Sequence, residues 1–155
     1  MERVASGAAR GVSPELVEGR RHSGGEAADR RGRVMVLVDA ANVVGSRPNG
    51  WWRDRAGAAR SLVDRVRGAV AAGRLTEPVV VVLEGDARAG AEAGESGGVT
   101  VLHAPGSGDD SLVAVVSDAR GEVTLVSADR ALRRRAEALG ADVAGPGWLL
   151  GRLDG

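Results

Sequence analysis

The chain has 155 residues, 43% of them apolar, which is enough for one domain with a sizeable core. It contains 21 basic and 21 acidic side chains, so any affinity for a polyanion would depend on local clusters of arginine. Cysteine and lysine are absent from the sequence, which excludes disulfides, thiolate metal sites, a P-loop lysine and Schiff-base chemistry. The apolar runs are far shorter than the roughly 20 residues that cross a bilayer. We therefore expect a cytoplasmic protein that has no membrane partner.

The first 32 residues are rich in Gly, Ala, Arg and Glu and show no apolar periodicity, so we expect them to be disordered. Residues 12–19 also look like the translation of a common bacterial intergenic repeat. We hypothesise that Met1 is a misassigned start upstream of Val34. The folded domain is expected to cover residues 33–155.

The first half of this domain alternates strands with a helix. Residues 34–38 form a continuous apolar run, typical of a strand that is buried on both faces, and the run ends at Asp39. Apolar residues at helical spacing predict a helix from about residue 54 to 72. Two further buried strands are expected at residues 79–83 and 99–102, separated by a small, polar stretch.

The second half continues the alternation. A helix is expected after Asp109 and Asp110, and a strand at residues 123–126. Asp129 opens another helix, a short strand follows at residues 142–144, and a terminal helix follows that strand. This pattern predicts a three-layer α/β/α fold with a mostly parallel sheet of about five strands. Numbered along the chain, these predicted strands should lie in the order 3-2-1-4-5.

Acidic residues follow several of the predicted strands. In an open parallel sheet, the functional crevice lies beyond the carboxyl ends of the strands, where the strand order reverses. Asp39 and Asp129 should project into this crevice, and Asp109 and Asp110 should lie at the same edge. Glu84, directly after the second strand, is a further candidate. Clustered carboxylates repel one another unless a cation compensates, and hard oxygen ligands favour Mg²⁺ or Mn²⁺.

Each of these acids also has an ordinary structural explanation. Asp109, Asp110 and Asp129 stand where the N-cap of a helix would stand, and Asp is a preferred cap. Asp39 ends a buried strand and has no helix to cap unless one starts directly after it. Glu84 could be a solvated loop charge.

Three segments together resemble the NYN group of the PIN-like nuclease domains. They are residues 34–42 (VMVLVDAAN), residues 106–110 (GSGDD) and residues 126–129 (VSAD), and the resemblance covers about residues 33–150. It implies a PIN-like fold and a metal-dependent ribonuclease that acts on RNA with Mg²⁺ or Mn²⁺.

Carried over by position, the resemblance implies that Asp39, Asp109 and Asp129 coordinate the metal. Asn42 would be the polar residue that follows the first acid, and Asp110 a fourth acid. Glu84 stands in a Leu-Glu-Gly segment where the family more often has Asp-Gly, and its longer side chain could still reach the metal.

Arginines and indoles close to the predicted crevice are candidates for substrate binding. Arg47, Trp51 and Arg53 lie in the loop after the first strand, where guanidinium groups could bind phosphates and indoles could stack on bases. We expect one of the adjacent tryptophans, Trp51 and Trp52, to be buried and the other exposed. Arg130 begins the helix that Asp129 opens.

Two other functions are compatible with the same residues. One is a non-catalytic PIN-like module that binds RNA or a protein through the tryptophan loop. The other is a metal-dependent phosphatase or nucleotide hydrolase. Haloacid-dehalogenase chemistry is disfavoured because position 41 is Ala rather than Asp, and a phospho-receiver domain is disfavoured by the missing lysine. The apolar segment that follows Trp148 should pack on the sheet or on the second subunit of a homodimer.

Overall fold

A computed structural model describes residues 34–154, so the expected disorder of residues 1–32 falls outside the described residues. The described part contains a six-stranded sheet in the order β3-β4-β2-β1-β5-β6. Adjacent strands are parallel except for β3 and β4. The strands are β1 (Met35–Asp39), β2 (Val79–Leu83), β3 (Gly94–Ser96), β4 (Val99–His103), β5 (Val123–Val126) and β6 (Asp142–Ala144). The predicted α/β/α class and the order of the five predicted strands are confirmed.

Four α-helices and two 3₁₀ turns lie between these strands, and a fifth α-helix follows the last strand. The helices are α1 (Ala40–Gly45), α2 (Arg55–Ala71), α3 (Gly108–Asp118), α4 (Arg130–Ala138) and α5 (Pro146–Asp154). The 3₁₀ turns span Trp51–Arg53 and Gly85–Gly90. No helix within residues 34–154 combines the length and the apolar character that crossing a membrane requires.

The central strand β1 separates two apolar cores because successive side chains of a strand point to opposite faces. Val36 and Val38 belong to the core that packs under α1, α2 and α5. Leu37 belongs to the core under α3 and α4, together with Leu112 and Leu132. The continuous apolar run of β1 is therefore explained by a sheet that is covered on both faces.

The long helix α2 agrees closely with its prediction. Asp54 is its N-cap and accepts a hydrogen bond from the amide of Gly57 at 2.8 Å, and Ala72 is its C-cap. Ala59, Leu62 and Val63 are among the residues that α2 buries against the sheet. The spacing of these apolar residues fixed the position of the helix in the sequence.

Two short elements were not predicted. Helix α1 starts directly after β1, where a loop was expected, and has only six residues. Strand β3 lies within the small, polar stretch after β2 and adds an antiparallel edge to the sheet. All three residues of β3 are exposed, so it has no apolar pattern that the sequence could reveal.

The topology places the expected crevice beside β1. This strand lies between β2 and β5, and the chain passes from one side of it to the other, so the strand order reverses here. Asp39 is paired in register with Val82, and Val38 with Val126. The residues that follow β2, β1 and β5 therefore emerge at one edge of the sheet.

Candidate active site

Asp39 is a buried carboxylate at the centre of this edge. It ends β1 with only 7% of its surface exposed, and it is also the N-cap of α1. One carboxylate oxygen, Oδ1, accepts a hydrogen bond from the Asn42 amide at 3.3 Å, and Oδ2 accepts one from the Ser127 hydroxyl at 2.9 Å. A helix does start after Asp39, so this acid has a structural role as a cap in addition to any chemical role.

Ser127 connects two of the candidate acids, Asp39 and Asp129. Within residues 34–154, Asp39 and Ser127 are the buried polar side chains, and they are hydrogen-bonded to each other. The Ser127 oxygen also accepts a hydrogen bond from the amide of Asp129 at 3.1 Å. A buried polar group must be paired, so this serine fixes where both acids stand. Its partner Asp39 is 88 positions away, so no local sequence pattern singles this serine out.

Asn42 adds a second link between the same two segments. Its side-chain Oδ1 accepts a hydrogen bond from the amide of Ala128 at 2.8 Å. This bond ties the first turn of α1 to the loop that carries Asp129. The Asn42 side chain therefore has a structural role, because it binds the backbone of the loop between β5 and α4.

Asp129 caps α4 at the same edge. Its Oδ1 accepts a hydrogen bond from the amide of Leu132 at 3.1 Å, as the N-cap interpretation predicts. The residue is half-buried. This cap uses one carboxylate oxygen and orients the side chain beside the crevice.

Glu84 is held against the start of α3. Its Oε1 accepts a hydrogen bond from the amide of Gly108 at 2.6 Å, and Glu84 itself is half-buried. A Cβ on residue 108 would collide with this carboxylate, so the close approach requires glycine there. Glu84 is therefore not a solvated loop charge. It faces the helix whose first turn carries Asp109.

Asp109 and Asp110 are adjacent in the sequence but have different contacts. Ser107, not an aspartate, is the N-cap of α3, and its hydroxyl accepts a hydrogen bond from the amide of Asp109 at 3.2 Å. Asp110 forms an ion pair with Arg135 of α4 at 3.1 Å, and its side chain is 86% exposed. The structure groups Asp109 with the other acids and directs Asp110 toward α4.

The carboxylates influence one another electrostatically. Burial raises the pKa of Asp39 above its ordinary value of 3.8, the bonds from Ser127 and Asn42 partly offset this, and the charges of Asp109 and Glu84 raise it further. Burial, then the charges of Asp129 and Glu84, raise the pKa of Asp109, Arg135 lowers it, and Asp110 makes the smallest contribution, which raises it. Asp39, Glu84, Asp109 and Asp129 are hereafter called the acidic cluster.

The acidic cluster offers suitable donors for a hard cation, but they are not closely gathered. Among residues 34–154, no three Asp, Glu or His side chains lie close enough together to hold one ion. The raised pKa values of Asp39 and Asp109 indicate nearby negative charges, whereas no three acids among the described residues are close enough to share one ion. Mg²⁺ commonly binds through one or two carboxylates and keeps several waters, so a pair from the cluster satisfies its needs. The donor chemistry fits the ion in this water-rich form.

Three of the four candidate substrate residues, Arg47, Trp51 and Arg53, lie in the segment that follows α1. Trp51 is half-buried and Trp52 is 52% exposed, with their rings at right angles and their centroids 6.1 Å apart. The guanidinium of Arg53 lies 5.6 Å from the Trp52 ring centroid, and that of Arg55 lies 4.9 Å from the Trp51 ring centroid. Exposure therefore makes Trp52, rather than the expected Trp51, the more accessible ring.

Arg47 and Arg130 have different settings. Arg47 is exposed and lies 3.7 Å from the carboxylate of Asp154 at the end of α5. Arg130 is exposed on the first turn of α4, directly after Asp129. Of these two arginines, only Arg130 is adjacent in the sequence to an acid of the cluster, Asp129.

The terminal helix packs within its own chain. Leu149, Leu150 and Leu153 are buried in the core beneath α1 and α2, and half-buried Trp148 packs against that core. The guanidinium of Arg152 stacks 4.1 Å from the Trp148 ring centroid. Of the two expected locations for the apolar segment, the structure shows packing on the sheet.

Comparison with solved structures identifies the same fold in a variant of Rae1 (YacP) from Bacillus subtilis. The similarity covers 77% of this chain and 74% of that chain, with a TM-score of 0.56 and 16% sequence identity. No protein-family profile and no curated protein sequence matches this chain. The likeness is one of fold, and it supports the PIN-like α/β/α architecture that the sequence predicted.

Proposed function

We propose that this chain is a metal-dependent ribonuclease that hydrolyses phosphodiester bonds of RNA at the acidic cluster. One observation carries the proposal: four carboxylates from four separate segments lie at the edge of the sheet where its strand order reverses, and the charges of neighbouring carboxylates raise the pKa of two of them, Asp39 and Asp109. Such an arrangement costs stability and is typical of a functional site. The NYN-like motifs and the PIN-like fold agree with this function.

Mg²⁺ or Mn²⁺ would be held by Asp39 and Asp109, with Glu84 and Asp129 positioned to bind its waters. Asp39 and Asp109 are chosen because burial and the charges of neighbouring carboxylates raise the pKa of both. When bound, such an ion polarises a phosphoryl oxygen and lowers the pKa of a coordinated water. Ser127 and Asn42 fix the carboxylate of Asp39 and the loop of Asp129, so the ligands are oriented before the substrate arrives.

Substrate binding would use residues on either side of the cluster. The exposed ring of Trp52 provides a face on which a base stacks, and Arg53 adds a positive charge beside it. Arg130 is placed to contact a phosphate next to Asp129. Trp51 and Arg47 belong to the same loop, where Trp51 supports the exposed ring. Single-stranded RNA is the expected form because stacking requires unpaired bases.

The direct test is cleavage of a fluorescent single-stranded RNA by the purified full chain, with Mg²⁺, with Mn²⁺ and with excess chelator. Asp39→Asn keeps the shape of the side chain but removes its charge, and we expect it to lower cleavage by roughly 100-fold or more. Asp118→Asn, at the far end of α3, is the matched control and should cleave normally. Full metal-dependent cleavage by Asp39→Asn would overturn the proposal.

The second candidate is a module that binds RNA without cutting it. It is favoured by the lack of any three described acids close enough to share an ion. The same assay separates the two functions. Crosslinking of RNA to the wild-type chain, with no cleavage under any metal condition, would support the binding module.

A further inference from the structure

A pocket of about 320 Å³ lies between the tryptophan loop and helices α1, α2 and α5. Val43, Leu62 and Leu150 give it an apolar floor, Trp51 forms one wall, and Asn49 and Ser61 add polar groups. This volume falls within the range of small-molecule sites. It is called the α1–α2 pocket below, and the acids of the cluster do not line it.

Two arginines at this pocket converge on a single carboxylate. Arg47 and Arg65 both line the pocket, and both form ion pairs with Asp154, the last described residue of α5. All three side chains are partly exposed, at 53% for Arg47, 39% for Arg65 and 53% for Asp154. Two arginines of the pocket lining thus already hold one anion, Asp154, which does not itself line the pocket. The carboxylate that does line it, Asp54, accepts the N-cap hydrogen bond of α2 from Gly57.

The ion pairs of Asp154 are not needed to hold α5 in place. Leu149, Leu150 and Leu153 are buried against the core. The guanidinium of Arg74 also donates hydrogen bonds to the carbonyls of Arg152 at 3.0 Å and of Leu153 at 3.4 Å. An exposed ion pair contributes about 0–1 kcal/mol, so a stronger anion can displace Asp154 without releasing the helix.

We propose that the α1–α2 pocket binds a nucleoside monophosphate group whose phosphate takes the place of the Asp154 carboxylate on Arg47 and Arg65. Phosphate carries more negative charge than a carboxylate and offers three acceptor oxygens, so it competes well for paired guanidinium groups. The base lies in the pocket along the edge of Trp51, over the apolar floor. Ser61 and Asn49 give polar contacts to the base or the ribose.

The choice of a nucleotide rests on the proposed function, because the pocket itself shows only an anion site beside an aromatic and apolar cavity. The pocket is also near the acidic cluster. Val43 and Val44 line it from the last turns of α1, whose first residue follows Asp39. A helix of six residues is about 9 Å long. The nucleotide is either a free effector or the 5′-phosphorylated end of the RNA, since both present the same group.

Binding is measured by calorimetry on the full chain carrying Asp39→Asn, so that cleavage does not interfere. The probes are adenosine and uridine 5′-monophosphate, a short 5′-phosphorylated RNA and its 5′-hydroxyl counterpart. We expect Arg65→Gln to weaken binding of the phosphorylated probes by about tenfold. Asp154→Asn should tighten it several-fold because the competing carboxylate is gone. Arg60→Gln, an exposed arginine of α2 outside the pocket, is the control.

A second variant tests the pocket in case Arg65→Gln loses binding only because it is misfolded. Ser61→Leu fills the pocket from the exposed side of α2 and leaves Arg65 and Asp154 intact, and it should also abolish binding. Preference for the 5′-phosphorylated over the 5′-hydroxyl RNA identifies the RNA end, whereas binding of the mononucleotides alone identifies a free effector. Either result supports the site.

The inference is overturned if no phosphorylated probe binds, or if Asp154→Asn leaves affinity unchanged or weakens it. These outcomes are independent of the proposed function. RNA cleavage by the wild-type chain without nucleotide binding would refute only the pocket. Nucleotide binding by a chain that never cleaves RNA would refute only the nuclease.

Discussion

Helix α1 separates two regions of different character. At its N-terminal end, Asp39 is almost fully buried and is fixed by hydrogen bonds from Asn42 and Ser127. At its C-terminal side, Trp52 is exposed and arginines stack on both tryptophans. The first region concentrates negative charge on rigid ends of strands and helices, and the second presents aromatic and positive groups on a loop. This division suggests that chemistry and substrate binding are carried by separate residues.

The sharpest test of this division lies within the acidic region. Asp109→Asn removes a carboxylate that interacts with Asp129 and Glu84, so we expect turnover to fall by roughly 100-fold. Asp110→Asn removes an exposed ion pair worth about 0–1 kcal/mol, so turnover should change by less than about fivefold. Single-turnover cleavage rates measure both. Equal losses would show that Asp110 belongs to the acidic cluster after all.

Ser127→Ala tests whether the hydrogen bonds around Asp39 matter for chemistry. We expect turnover to fall by about 10- to 100-fold, as is typical when a residue that orients a ligand is lost. The Ser127 hydroxyl lowers the pKa of Asp39, so its removal should raise that pKa further. The acidic limb of the pH–rate profile should therefore move to higher pH. A lower rate with an unmoved profile would indicate a general loss of structure.

Trp52→Ala tests the other end of α1. Stacking of one base on an aromatic ring is worth about 1–3 kcal/mol, so the KM for single-stranded RNA should rise by about tenfold or more. The kcat should stay the same because the ring would stack on a base and is not one of the proposed metal ligands. Leu139→Ala is the control, since Leu139 is 49% exposed and lies at the end of α4. A fall in kcat without a change in KM would contradict the proposed division.

Asp39→Asn should lower activity but leave the free energy of unfolding unchanged or slightly higher at neutral pH. The folded state raises the pKa of Asp39, so it binds a proton more tightly than the unfolded state does. The free energy of unfolding therefore falls as pH rises from about 3.8 through the raised pKa. Above this range the variant should be at least as stable as the wild type. Chemical denaturation at several pH values checks this, and a less stable variant at neutral pH would contradict it.

The sequence was sufficient for elements with long or continuous apolar patterns. Strands β1, β2 and β5 and helix α2 were predicted to within about two residues, because burial on one or both faces leaves a clear pattern. Helix α1 was missed because six residues are too few to show a period. Strand β3 was missed because its pairing uses backbone groups and its side chains are exposed.

The acidic cluster was partly predictable for a related reason. Parallel strands bring their carboxyl ends to one edge, so the location of Asp39, Glu84, Asp109 and Asp129 at that edge follows from the strand order. Asp109 and Asp110 face different directions because successive residues of a helix are rotated by about 100°. Asp110 also has Arg135 within ion-pair distance, which the sequence pattern does not show. The role of Ser127 depends on a contact between distant segments, which periodicity does not report.

The central claim is that the acidic cluster binds a divalent cation through few carboxylates and several waters. Titration of the full chain with Mn²⁺, followed by electron paramagnetic resonance and by water proton relaxation, measures this directly. The account predicts one site with high water relaxivity, weakened by Asp39→Asn and by Asp109→Asn but not by Asp118→Asn. Binding that none of these variants changes, or that Asp118→Asn weakens equally, would contradict it.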